Sequence, residues 1–239
     1  MNTVKFEKGE TLVVAHRGLS GIERENTNSA FVAAANRSYY GIETDIHRTA
    51  DGHFVVNHDS TLKRVGGEAV KVEEVSLCVL QNIVLFDTDG TKDRLDLRPC
   101  TLENYISICK KYEKHSVLEL KSDFTDDEIG DIVRIIKSFD YLDNVTFISF
   151  HHENLRKIRK ILPSQSAQLL FTEMTDEDVG YVISDRFDVD VHYKNLSGEL
   201  IDRLHSAGVK VNCWTVDEKA DAEELASMGV DFITTNILE

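Results

Sequence analysis

Residues 197–234, SGELIDRLHSAGVKVNCWTVDEKADAEELASMGVDFIT, hold two helix-period segments, 197–206 and 217–228, each followed by a glycine and a short apolar run. The two junctions, Ser206-Ala-Gly-Val-Lys-Val and Ser227-Met-Gly-Val-Asp-Phe, repeat at a spacing of 21 residues. A glycine just past a helix ends it, and the β-branched residue that follows favours a strand. Tyr40-Gly41-Ile42 carries the same punctuation near the start of the chain.

Working outward, the same alternation runs from end to end. Apolar runs predict strands at 12–15, 41–46, 117–120, 145–149, 167–171, 187–191, 209–214 and 231–234. Helix-period stretches lie between them at 27–38, 101–113, 126–138, 152–161, 174–184, 197–206 and 217–228, with spacings such as Ile132, Ile135 and Ile136. Strict alternation predicts parallel strands joined by crossover helices. Eight strands within 239 residues predict a closed α/β (β/α)8 TIM barrel over an open doubly wound sheet. Gly-Val after a helix recurs in any α/β protein, so the closed barrel rests on the strand count. Residues 47–100 are too long for an ordinary connection and carry Asp51-Gly52, Gly66-Gly67 and Asp89-Gly90, which predicts a hairpin followed by an inserted excursion. Few residues follow the last strand, so an eighth outer helix is not expected, and residues 1–239 read as a single barrel domain.

Composition fits this reading. With 41% hydrophobic and 29% charged residues and a mean hydropathy of −0.26, the chain reads as an ordinary globular protein. Its 42 acids against 27 bases, a net charge of −15, argue against nucleic acid and anionic lipid as partners. The four cysteines form no CxxC pair, and no signal-peptide core or run of membrane-spanning length is present. Together these predict a cytoplasmic protein with no membrane insertion. A homo-oligomer is compatible with all of it.

Chemistry concentrates where charge interrupts the apolar strands. In GIETDIHR, Glu43 and Asp45 share one face while Ile42, Thr44 and Ile46 share the other. Two carboxylates side by side on a buried strand are costly unless something positive compensates them. In LELKS, Glu119 sits between leucines with Lys121 on its own face. Three converging carboxylates form an all-oxygen set suited to one divalent cation, Mg2+ or Ca2+; the other reading is ion pairing or a solvated strand end. The first strand ends in His16-Arg17-Gly18, a titratable base beside a fixed cation, and Gly18 would let the backbone turn sharply and approach a ligand. His58 follows the apolar run Phe54–Val56 of the presumed hairpin. Trp214, the only tryptophan, ends the seventh strand, where it serves either core packing or a ligand at the barrel mouth. His151, His152 and His205 read as helix-capping or solvated groups.

These residues fall in a known order. The stretch 13–65, VVAHRGLSGIERENTNSAFVAAANRSYYGIETDIHRTADGHFVVNHDSTLKRV, resembles the glycerophosphodiester phosphodiesterase family in its His-Arg-Gly, Glu-Asn-Thr, Ala-Phe, Glu-x-Asp, Asp-Gly and His-Asp pieces. Further on, CTLENYI, LELKS, FISF and VNCWTV resemble the family's later motifs, so the similarity spans nearly the whole chain. The resemblance implies a (β/α)8 barrel in which His16 and His58 are the acid/base pair and Glu43, Asp45 and Glu119 bind the metal. It further implies that Arg17 and Lys121 hold the phosphate and that Trp214 meets the glycerol of a small-molecule glycerophosphodiester substrate. The implied reaction yields sn-glycerol 3-phosphate and an alcohol such as choline or ethanolamine, by attack of the glycerol's own neighbouring hydroxyl and opening of the cyclic phosphate by water. Which histidine is the acid stays open. Three positions depart from the family pattern: Ala50 where lysine is frequent, Asn236 where aspartate is usual, and Glu25 without a preceding proline.

Rival readings are a related barrel phosphodiesterase acting on lysophospholipid or phosphoinositide, and a non-catalytic barrel binding module. The first needs an amphipathic anchor or basic patch that the sequence lacks; the second sits poorly with a complete set of histidines and acids. A zinc amidohydrolase is disfavoured because the first strand supplies one histidine rather than His-x-His.

Overall fold

The computed structural model describes residues 2–239. In chain order its elements are β1 (Leu12–Ala15), α1 (Asn28–Ala35), β2 (Gly41–Arg48), β3 (Phe54–Val56), α2 (Lys63–Gly66), α3 (Leu77–Gln81), α4 (Leu102–Lys111), β4 (His115–Leu120), α5 (Asp126–Ser138) and β5 (Val145–Ser149). There follow α6 (His152–Ile161), β6 (Ala167–Phe171), α7 (Asp176–Asp185), β7 (Asp188–His192), α8 (Gly198–Ser206), β8 (Val211–Trp214), α9 (Lys219–Ser227) and β9 (Phe232–Thr235). Among the described residues, parallel pairing runs β1-β9-β8-β7-β6-β5-β4-β2, and β1 pairs with β2 to close an eight-stranded barrel. The ninth strand, β3, adds antiparallel to β2.

Local chemistry sets the boundaries. Thr101, Thr125 and Thr175 each accept from a backbone N–H three residues on, and that third residue's side chain reaches back, closing capping boxes on α4, α5 and α7. In α5, Ile129, Ile132, Val133 and Ile136 form the buried stripe, and Ile135 is only half-buried. At the repeated junctions Gly208 and Gly229 have φ of +77° and +90°, the conformation that ends α8 and α9 before the next strand. Strand edges differ from the sequence reading by one or two residues. Phe187 and Val209 prolong apolar runs and are buried, yet they precede the ladders of β7 and β8.

Two layers of packing position the rim of the barrel. The main apolar cluster lies between strands and helices, while Val14, Val117, Ile148 and Leu170 plug the barrel interior. Residues 236–239 form no helix, as expected. The N-terminal segment lies against them instead, with Val4 bridging Leu238 and Phe6 buried in the main cluster. No helix among the described residues is long and apolar enough to cross a membrane.

The excursion after β2 begins as the predicted hairpin, with Ile46, His47 and Arg48 opposite Val56, Val55 and Phe54. Beyond it, α2 and α3 gather a small separate cluster of Val55, Leu62, Val65, Val72, Leu80, Leu85 and Leu97. Three arginines bind this excursion to the loop after β1. Arg24 donates to the main-chain oxygens of Phe86 and Asp87, Arg94 pairs with Glu23 at 2.7 Å, and Arg64 pairs with Glu25 at 2.6 Å.

Gly18 turns sharply, as expected, but its close neighbour is α1 rather than open space for a ligand. At φ +78°, a Cβ built there would lie 2.7 Å from the Ala30 carbonyl carbon and 2.8 Å from its Cβ. Backbone cannot yield as a flexible side chain does, so a left-handed penalty adds to overpacking. Gly18→Ala is expected to cost about 2–4 kcal/mol of stability. Urea denaturation should show a lower midpoint at an unchanged slope; a loss below about 1 kcal/mol would mean that α1 shifts to make room.

Candidate active site

The loop after β1 is shaped by two consecutive left-handed residues, Arg17 at φ +55° and Gly18 at φ +78°. A non-glycine residue in that region is strained, and strain of this kind gathers at functional sites. Here the turn aims the Arg17 backbone N–H at Glu43 Oε2, 2.8 Å away, and carries the guanidinium to Glu25 at 2.9 Å and Asp45 at 3.5 Å. Arg17 Nε is buried with no hydrogen-bond partner in the protein.

The pairing of β2 with β4 sets Asp45 opposite Glu119. Glu43, Asp45 and Glu119 thereby bring carboxylate oxygens within 4.8 Å of one another, all three buried. Lys121 lies 2.9 Å from Glu119 and 3.6 Å from Asp45, and Asn26 Nδ2 donates to Asp45 at 2.8 Å. These partners divide the acids. Burial pushes Asp45 up, but Arg17, Lys121, His58 and Asn26 together hold it well below the usual carboxylate range. Burial and the Asp45 charge push Glu43 well above that range and Glu119 up to about 8. Ionised together, the three carboxylates would carry more negative charge than the two cations offset, and the raised values of Glu43 and Glu119 reflect that missing compensation. An oxygen-only donor set with uncompensated charge fits a hard divalent cation such as Mg2+ or Ca2+, and no thiolate or imidazole in the group favours zinc.

The two histidines approach from different pieces of the fold. His16 continues β1, its N–H donating to the Thr235 oxygen at 2.8 Å, whereas His58 follows β3 in the excursion. Asn236 Nδ2 donates to Asp217 Oδ2 at 2.6 Å, and a carboxylate only accepts, so the amide oxygen faces His16 Nδ1 at 2.8 Å. His16 Nδ1 must then carry the proton, leaving Nε2 to face Glu43 at 3.9 Å. His58 Nδ1 lies 2.8 Å from Asp59 Oδ1, and Arg64 holds both Asp59, at 2.8 Å, and Glu25. Burial first and the Arg17 charge second lower His16 to about 4. His58 is also lowered, chiefly by burial, while Asp45 and Asp59 oppose the shift.

All eight residues singled out from the sequence come together except that Asp45 lies just behind the cavity wall. His16, Arg17, Glu43, His58, Glu119 and Lys121 line a cavity of about 90 Å³ together with Trp214, Phe150, Ile148 and Leu170. Trp214 packs edge-on against Phe150 and His192, and its Nε1 donates to the Asp190 main-chain oxygen at 3.3 Å, so it serves packing and the cavity together. On the far side of His16 and Arg17 opens a wider cleft of about 450 Å³ bordered by Ser20, Glu25 and Asp217. His152 on α6 pairs with Asp185 on α7, and His205 on α8 pairs with Asp231 just before β9, away from this site.

Sequence reading missed Asn26, Asp59, Arg64 and Asp217 as supports, and Asp190 as a lining residue. Asp59 and Asn26 adjoin recognised motifs. Asp190 had a usable signal, since it interrupts an apolar strand between Val189 and Val191 as Glu119 interrupts its own.

The glycerophosphoryl diester phosphodiesterase family model matches residues 16–239. A glycerophosphodiester phosphodiesterase of Caldanaerobacter subterraneus is 31% identical over 95% of this chain and 94% of its own. Among solved structures, an Oleispira antarctica phosphodiesterase in complex with the product sn-glycerol-3-phosphate superposes with a TM-score of 0.88 at 22% identity, covering 94% of this chain and 92% of that one. A glycerophosphodiester phosphodiesterase from Parabacteroides distasonis gives 0.78 at 26% identity, covering 99% and 94%.

Proposed function

Because the chain belongs to the glycerophosphoryl diester phosphodiesterase family, we propose that it hydrolyses small glycerophosphodiesters to sn-glycerol 3-phosphate and an alcohol, with His16 as base and His58 as acid. The observation that carries this reading is the meeting of two histidines, three carboxylates and two cations around one small cavity. At about 90 Å³ it is well below the roughly 300–1,000 Å³ of ordinary ligand pockets, which suits a three-carbon polyol and not an acyl chain.

Glu43, Asp45 and Glu119 would hold the divalent cation, which when bound supplies Lewis-acid neutralisation of the phosphate oxygens. Arg17 and Lys121 grip the phosphate. Asn236 fixes the His16 tautomer, so Nε2 presents a lone pair that takes the proton of the glycerol hydroxyl neighbouring the phosphate. That oxygen attacks phosphorus while His58, held by Asp59, protonates the departing alcohol oxygen. Water then opens the cyclic phosphate with the two histidines exchanging roles. The usual family aspartate would make the Asn236 partner an anion; the neutral amide keeps His16 a weaker base that is unprotonated near neutral pH. We also read the barrel and its excursion as one catalytic unit and the compartment as cytoplasmic, in keeping with free cysteines at Cys78, Cys100, Cys109 and Cys213.

The deciding assay measures release of choline, ethanolamine or glycerol from the corresponding glycerophosphodiesters with Mg2+ or Ca2+, beside lysophospholipid micelles. Turnover of the deacylated diesters with at least tenfold preference over lysolipid is expected. Faster turnover of the lysolipid would move the assignment to the lipid-acting relatives, and no turnover of any diester with either metal would favour a binding module.

A further inference from the structure

One buried carboxyl of the barrel has no part in the catalytic roles above. Asp190, on β7, is 1% exposed, and its Oδ1 is buried without a hydrogen-bond partner. Its neighbours in the ladder are Leu170 and Asn212. Asn212 directs its amide to Gln168, at 3.1 Å, and to Thr234, at 3.2 Å. Trp214 donates to the Asp190 main-chain oxygen and not to its carboxyl. Natural folds seldom leave a buried carboxyl without a partner, because nothing repays its lost hydration. Asp190 nevertheless lines the same small cavity as the histidines, between Leu170 and Trp214.

We propose, on the basis of the glycerophosphodiester reading above, that Asp190 is the specificity residue for the polyol, its carboxyl hydrogen-bonding the glycerol hydroxyl remote from the phosphate. The chemistry narrows the partner to a hydroxyl. No lysine, arginine or histidine pairs with Asp190 among the described residues, and it stands outside the three-acid cluster that could hold a metal. Burial, with a smaller push from Glu119, raises its carboxyl well above the usual range, so a protonated form can donate as well as accept. A hydroxyl answers both capacities. Arg17 and Lys121 border the same cavity and fix the phosphate end, so a substrate gripped there has its far hydroxyl inside a cavity that Asp190 also lines.

The test compares glycerophosphocholine with its analogue lacking only the terminal hydroxyl, a propane-1,2-diol phosphocholine diester that keeps the attacking hydroxyl. Parent protein and the variants Asp190→Asn and Asp190→Leu are assayed with added Mg2+ or Ca2+. The parent should favour the glycerol compound about 10- to 100-fold in kcat/KM. In Asp190→Leu the preference should shrink to within about threefold, through loss on the glycerol compound alone, and Asp190→Asn should fall between. Thermal melting without substrate should be unchanged or higher in both variants, since a carboxyl lacking a partner is removed. A purely structural Asp190, or one satisfied by water only, would lower both substrates equally or leave the preference intact, and either result overturns the proposal. If the parent turns over neither diester, the hydrolase reading falls and this inference with it; preference retained in Asp190→Leu overturns this inference alone.

Discussion

Replacing His16 by alanine is expected to lower glycerophosphocholine turnover by about 10²- to 10⁴-fold, and replacing His58 should do the same. The two losses have different origins, which a change of leaving group separates. Choline leaves poorly and needs a proton; p-nitrophenol leaves well as its anion and does not. On a glycerol p-nitrophenyl phosphodiester, His58→Ala should therefore recover formation of the cyclic phosphate to within about tenfold of the parent, while His16→Ala stays impaired. The asymmetry follows from the supports. His16 has a neutral amide partner and is lowered to about 4, so it arrives unprotonated; His58 is also lowered, chiefly by burial, but the Asp59 carboxylate on its Nδ1 opposes that shift and stabilises its imidazolium. Rescue of His16→Ala instead of His58→Ala would exchange the roles. A near-parent rate for either variant on glycerophosphocholine would remove that histidine from the chemistry and overturn the acid/base pair.

The second large effect concerns the carboxylate cluster and appears without any substrate. Glu119 is raised to about 8 and Glu43 is raised too, so in the metal-free protein the folded state binds their protons more tightly than the unfolded chain. Stability from these groups is fully present below the ordinary carboxylate range and is lost as pH rises toward 8. Asp45 has the opposite sign, and its depressed value places its contribution below this window. From pH 5 to about 6.5 the depressed His16 and His115 gain stability with pH and oppose this trend, so scanning calorimetry of metal-free protein should show the fall between pH 6.5 and pH 8, on the order of 5 °C in Tm. Added Mg2+ or Ca2+ should raise Tm most at the upper end, where the carboxylates are ionised. Glu119→Gln should flatten the slope, raise the metal-free Tm at pH 8 and reduce the metal's effect, while activity falls about 100-fold or more. Full activity in excess EDTA, or a metal-free Tm that is flat with pH, would contradict the cluster's assignment.

How much of this was legible depends on whether a signal was local. The barrel was, because strand, helix and glycine punctuation each occupy a few consecutive residues, and all seven crossover helices fall where the 3.6-residue period put them. The metal-type cluster was legible as well, since Glu43, Asp45 and Glu119 break apolar runs. Supports created by closure were not. Asn236 meets His16 across 220 positions of sequence, and Asp217 meets Asn236 only because β8 and β9 return to β1. Asn236 was visible as a departure, but its consequence for the His16 tautomer needed the third partner. The short α2 and α3 escaped because four or five residues carry too little periodicity to register. Gly18 shows the converse limit: the sharp turn could be read from residue type, while the backbone of α1 that it must avoid could not.

The arginine clasps around Glu23, Arg24 and Glu25 also define where this protein can be cut and rejoined. A chimera that replaces residues 49–100 with the corresponding piece of a relative would import a foreign acid histidine while keeping the native base. Arg64 joins Glu25 to Asp59, so the graft would retain its alignment only if residues 23–25 travelled with it as a matched set. The exchangeable cassette is thus discontinuous in sequence, two stretches separated by α1 and β2. Shuffling libraries built on contiguous breakpoints would be expected to yield folded barrels whose two histidines no longer address the same phosphate.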